Sequence, residues 1–221
     1  MRASAPVRDV FTKEFLDSLG VSKHRLTGCP ASFLFERDFR FNDNPVVVIS
    51  FPPTRYRKHP VLFFRLIRGL RKYAKYCQGL GLRPVLACHT ENDLPAARSL
   101  KPADVEPFYS ENAQEYYALY QQARWVVGFR LHSSILSFTL GIPFIPIYFD
   151  VRGRSFAETY QSRGWAIDAQ RWGLYRTLVR RTEEIMRKNT EPFERFLARQ
   201  RHLQGEMHNF LDEALRPVAG C

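Results

Sequence analysis

No run of apolar residues in this sequence approaches the length of about 20 that a membrane-spanning helix needs. The first residues, MRASAPVRD, also lack the apolar core of a secretory signal. A spanning helix and a cleaved leader are therefore not expected. Cysteine is sparse. Cys29, Cys77, Cys88 and Cys221 show neither a C-x-x-C pair nor a regular spacing, so neither a disulfide framework nor a zinc site is indicated, and free thiols are the expectation. Internal repeats and low-complexity tracts are absent, which sets aside solenoids and disordered linkers. Acidic residues are the minority charge, 22 against 33 Lys and Arg, and the resulting formal charge of +11 asks for an anionic partner. Candidates are a phosphorylated metabolite, an acidic glycan, anionic lipid or nucleic acid. Nucleic acid is disfavoured, because the positive charge is spread along the chain and no helix-turn-helix, zinc-finger or single-strand-binding pattern occurs. The expected location is cytoplasmic, with a basic surface suited to peripheral contact at the inner face of a membrane.

What is present suits a packed α/β core: 221 residues, 45% hydrophobic and 14% aromatic. Thr12 is a candidate N-cap for a short helix over residues 13–19, ending at Gly20. Residues 46–50, 83–88, 125–129 and 142–149 are apolar runs of strand length, predicted to lie side by side and parallel. Residues 60–80 repeat Phe63, Leu66, Leu70, Tyr73 and Cys77 at helical spacing, with Arg65, Arg68, Lys72 and Lys75 on the solvated back. The loop His89-Thr90-Glu91-Asn92-Asp93 is a polar strand-end cluster suited to a cleft wall or to capping. Residues 111–124 read as a helix. Irregular structure is expected around Trp165 and Trp172, then helices over 174–189 and 193–215. The last helix carries Phe196, Leu203, Met207, Phe210 and Leu211, an apolar set whose incomplete cover would invite self-association.

The densest chemistry lies between Arg124 and Tyr160. An apolar run reaches the elbow Arg130-Leu131-His132-Ser133-Ser134, a short helix ends at Gly141, and a second apolar run reaches a second polar elbow at Asp150. That is a βαβ crossover. Ligands of such units gather where strand ends meet helix N-termini, whose unpaired N–H groups favour anions. Arg55, in a basic loop after the strand 46–50, is on the same predicted side.

Gly128-Phe129-Arg130-Leu131-His132, Gly141-Ile142-Pro143 and Asp150-Val151-Arg152 together resemble the signature of the polysaccharide pyruvyl transferase family. Val7-Arg8-Asp9, Leu19-Gly20-Val21 and Thr27-Gly28-Cys29-Pro30 resemble the helix and hinge that this family places between two lobes. The resemblance implies a three-layer Rossmann-like parallel sheet similar to the C-terminal lobe of a glycosyltransferase-B-like fold, with long C-terminal helices. It divides the chain into residues 1–29, a remnant of an N-terminal lobe and hinge, a donor-binding domain over 30–174 and a helical segment over 175–221. Most of the N-terminal lobe would then be missing, and with it the presentation of an acceptor.

The implied activity moves pyruvate from phosphoenolpyruvate onto a sugar or lipid-linked glycan, with no cofactor and no metal. Arg130 would clamp the donor's anionic groups, with Ser133, Ser134, Arg55 and Arg152 as further binding residues. His132 would carry a proton, with Asp150 as its catalytic partner. A lone histidine in an arbitrary sequence is more often structural, and Asp150 reads equally well as an N-cap. Three other readings compete: a nucleotide-sugar lobe of a glycosyltransferase with Glu158 as its ribose-binding carboxylate, a nucleic-acid-binding module, and an inactive remnant.

Overall fold

A computed structural model describes residues 5–33, 37–52, 58–100, 105 and 107–215. Arg55 and Cys221 lie outside the described residues. The chain opens with β1 (Ala5–Val7), α1 (Val10–Ser18) and β2 (His24–Leu26). The strands β1 and β2 pair in parallel as a small sheet of their own. Helix α1 starts earlier than expected, because its cap is Asp9 rather than Thr12. The Asp9 carboxylate accepts the Thr12 N–H at 3.1 Å, supplying an acceptor to one of the first-turn donors.

The main domain then runs β3 (Val46–Ser50), α2 (Pro60–Gly79), β4 (Arg83–Ala87), α3 (Leu94–Leu100), β5 (Pro107–Phe108) and α4 (Ala113–Gln121). It continues through β6 (Ala123–Gly128), α5 (Leu131–Thr139), β7 (Phe144–Tyr148), α6 (Val151–Thr159) and β8 (Ile167–Asp168), and closes with α7 (Leu174–Met186) and α8 (Glu191–Leu215). Strand order is β5-β4-β3-β6-β7-β8, and every pairing is parallel. The four predicted strands are neighbours, as expected. Their runs read as continuous because both faces are covered: all five residues of β3 are buried.

Alternate residues identify the two covering layers. Trp125 of β6 points to α2, its indole N–H donating to the Tyr73 hydroxyl at 2.8 Å, and Tyr73 reaches Thr182 of α7 at 2.6 Å. Val126 pairs with Phe144 of β7, and Phe144 meets Phe138 of α5 and Phe193 and Phe196 of α8 from the other face. The result is a three-layer α/β sandwich, the predicted class.

Three expectations need adjustment. The back of α2 is not wholly solvated, since Arg65 donates to the Ala169 and Gln170 carbonyls at 2.8 Å and covers Trp172 at 4.8 Å. The first part of α8 is core rather than uncovered surface: Phe193, Phe196 and Leu203 are buried, while Leu211 and Leu215 near its end are exposed. Finally, α4 begins at Ala113 rather than 111, because Asn112 caps it by accepting the Gln114 N–H at 2.9 Å.

Candidate functional site

The C-terminal ends of β6 and β7 deliver two elbows to one side of the sheet. At the first, Gly128 gives α5 room for a close approach. A Cβ there would lie 2.5 Å from the Ser134 Oγ and 3.4 Å from the Ser134 N, so a side chain would force the Ser134 hydroxyl out of its place where the first turn of α5 folds back onto the strand. At the second, a Cβ on Gly153 would lie 2.7 Å from the Tyr148 Cβ, which fixes how closely α6 approaches β7. Between the elbows lies a cavity of about 440 Å³ whose lining includes Arg8, Arg130, His132, Ser134, Asp150 and Arg152. Thr90 and Asn92 line it from the loop after β4.

Arg130 occupies the N-cap position of α5 in extended conformation and makes no side-chain cap bond. The Ser134 N–H closes the first turn on the Arg130 carbonyl at 3.2 Å. The N–H groups of Leu131, His132 and Ser133 therefore precede the first intrahelical bond, and of these residues Leu131 and His132 line the cavity. The guanidinium of Arg130 pairs with Asp93, whose side chain is fully buried. The same Asp93 oxygen accepts the Thr90 N–H at 3.2 Å. Asp93 Oδ1 and Arg130 Nε, both buried, have no hydrogen-bond partner among the described residues. Asp93 thus fixes the direction of Arg130, and part of the guanidinium's donor capacity is unspent.

Ser133 and Ser134 part company. Ser134 lines the cavity, whereas the Ser133 hydroxyl is buried against the Tyr120 hydroxyl at 2.7 Å. Tyr120 also meets His89 Nε2 at 3.3 Å. Burial, aided by the positive charge of Arg130, pushes the His89 pKa down from 6.5 to about 4, so this imidazole is neutral near pH 7. His132, by contrast, is exposed at the cavity mouth. Asp150 caps α6, accepting the Gly153 N–H at 3.0 Å, and its second oxygen lies 3.4 Å from Arg152.

Arg8 is the functional candidate that sequence reasoning passed over, since Val7-Arg8-Asp9 was read only as part of the hinge pattern. Docking of α1 on α6 brings it in: Ser155 donates to Asp9 at 2.7 Å, and the Val10 N–H donates to Thr159 at 3.0 Å. Burial raises the Asp9 pKa, but hydrogen bonds from Ser155 and Thr12 outweigh it and hold the carboxyl below its ordinary value. An adjoining, more apolar cavity of about 430 Å³ shares Arg8, His132 and Arg152 and is walled by Phe11, Phe15 and Val151. Glu158, the ribose-binding candidate, is turned elsewhere: it pairs with Arg163 at 3.3 Å and Arg154 at 3.8 Å and does not line the elbow cavity.

Among the described residues, no helix is long and apolar enough to cross a membrane, and no three His, Cys, Asp or Glu side chains cluster as a metal site would require. Cys77 and Cys88 are buried free thiols, each pushed up to about 12 mainly by burial, and Cys29 is a half-buried free thiol.

A solved structure assigned as a UDP-N-acetylglucosamine 2-epimerase from Listeria monocytogenes superposes with a TM-score of 0.56 at 10% identity. The match covers 96% of this chain and 59% of that one, so the chain spans little more than half of its neighbour's length. At that identity the likeness speaks for the fold, a glycosyltransferase-B-like lobe. No curated protein matches the chain. The family model for polysaccharide pyruvyl transferase matches residues 7–150, a span that begins beside Arg8 and ends at the Asp150 cap, and on that match the chain belongs to the polysaccharide pyruvyl transferase family.

Proposed function

We propose that the elbow cavity binds phosphoenolpyruvate and that the protein transfers its pyruvyl carbons to a sugar. The observation that carries this reading is the convergence of Arg130, braced by a buried carboxylate, with His132 and the open N-terminus of α5 on one cavity. A phosphate and a carboxylate on one small donor call for several oriented cations. Arg130, Arg8 and Arg152 supply them, and the α5 N–H groups add about 0.3–1 kcal/mol of charge–dipole attraction.

In ketal formation, donor C3 takes a proton, C2 becomes electrophilic, and an acceptor hydroxyl oxygen attacks it. A second hydroxyl then displaces phosphate. His132, exposed at the mouth, would pass the proton as general acid and base. Asp150 already caps α6 and lies beside Arg152, which suits orienting that arginine. The neighbouring apolar cavity suits the acceptor side, where a lipid-linked glycan would set its apolar portion against Phe11 and Phe15.

Calorimetry with phosphoenolpyruvate tests the reading directly. The expected result is saturable binding below millimolar donor, kept within about threefold in His132→Gln, because a proton carrier contributes little to ground-state binding. Absence of binding at millimolar donor contradicts the assignment.

A further inference from the structure

A third cavity lies almost wholly beyond the matched span, touching it only at Tyr148, and its lining is dominated by arginine. It measures about 470 Å³ and is bounded by α6, the segment around β8 and the first turns of α7. Among the described residues, Arg154, Arg163, Arg171, Arg180 and Arg181 line it, against a single lining carboxylate, Asp168. Two other carboxylates serve these arginines. Glu158 lies 3.3 Å from Arg163 and 3.8 Å from Arg154, and Glu184 lies 3.1 Å from Arg181. Among the described residues, five guanidinium groups thus share three carboxylates, with Asp168 lying 3.7 Å from Arg171. Gathering unneutralised cations in one concavity is unfavourable unless an anion relieves it.

Two further observations point to a ligand. Arg181 is braced by the Gly164 carbonyl and by Trp165, 4.7 Å from its guanidinium, yet its buried Nε has no hydrogen-bond partner among the described residues. Trp172, on the rim, is 83% exposed while Arg65 covers it at 4.8 Å. An indole fixed by a cation and left open to solvent is a ready platform for a ring.

We infer that this cavity is a binding site for a soluble ligand carrying two or more adjacent phosphate groups, with a sugar or other ring set on Trp172. Guanidinium pairs oxyanions bidentately, and the surplus of cations over carboxylates favours a multiply charged ligand over a single carboxylate. Tyr148 lines both this cavity and the elbow cavity, so the two sites are neighbours along the strand ends. The inference does not depend on the pyruvyl-transfer reading, and its test is separate.

The test uses Trp172 fluorescence with inorganic pyrophosphate as probe. Trp125 and Trp165 are buried, so the solvent-exposed indole reports on the rim. Saturable quenching is expected, with pyrophosphate binding at least tenfold more tightly than orthophosphate. Excess phosphoenolpyruvate should leave it in place. Arg171→Ala with Arg180→Ala, both exposed positions, should weaken pyrophosphate at least tenfold at unchanged thermal midpoint. Trp172→Phe should abolish the signal while calorimetry still detects binding. Unsaturable quenching, or equal affinity in the double variant, overturns the inference. Binding to phosphatidylglycerol vesicles without any pyrophosphate response also overturns it, in favour of a membrane surface.

Discussion

Arg130 joins a buried carboxylate to an open cavity, and that double attachment changes how it should be probed. Replacing it with alanine would strand Asp93 without a counter-ion, a loss of about 3–5 kcal/mol for a broken buried pair. Any effect on ligand binding would then be confounded with folding. The sequence revealed the arginine but not its partner, because Asp93 belongs to a separate loop whose cluster read as capping more readily than as cleft wall. In the fold it is a cap and a brace, while Thr90 and Asn92 of the same loop form the wall. His89 offers a pH test of this buried layer. Its folded pKa, about 4, lies below the ordinary 6.5, so the unfolded chain binds the proton more readily. Its contribution to stability is complete above about pH 6.5 and is lost as pH falls toward 4, at about 1.4 kcal/mol per pH unit. Urea unfolding should show that slope in the wild type and a shallower one in His89→Gln. Equal slopes would mean that His89 does not reside in a desolvated site.

At the scale of elements, legibility followed burial. The strands β3, β4, β6 and β7 were readable because both faces are covered and their sequences are nearly unbroken apolar runs. The two-residue edge strands β5 and β8 offer no periodicity, and β8 in particular read as irregular structure. Helix α3 was hidden by Pro95 and by its seven-residue length, and the β1–β2 pair by strands of three residues. The elbow positions were legible as chemistry, yet the inward turn of Ser133 was not, since it depends on Tyr120 arriving from α4. Helix α8 shows the same limit. Its periodic apolar residues said that it packs, but only the fold shows that Phe193 inserts among Phe39, Phe41, Phe144, Phe196 and Trp165. Phe193→Ala should therefore cost about 3–5 kcal/mol and lower the single thermal transition of the whole domain. A separate early transition, with the main transition unmoved, would show α8 to be an independent appendage.

At the scale of the molecule, charge and architecture act together. The parallel sheet brings the elbows to one edge, α1 carries Arg8 across to them, and α8 ties the N-terminal unit down through Arg25, which meets Glu213 at 2.8 Å and Glu206 at 3.5 Å. On the proposed function, this framework presents an oriented guanidinium to an anionic donor. Calorimetry of phosphoenolpyruvate with Arg130→Lys tests it most directly, because lysine keeps a charge opposite Asp93 while removing the planar fork. The account predicts an unfolding free energy close to that of the wild type and an affinity weakened by roughly 1.5–3 kcal/mol, about tenfold or more. Affinity within twofold of the wild type, in a variant that folds normally, would contradict it.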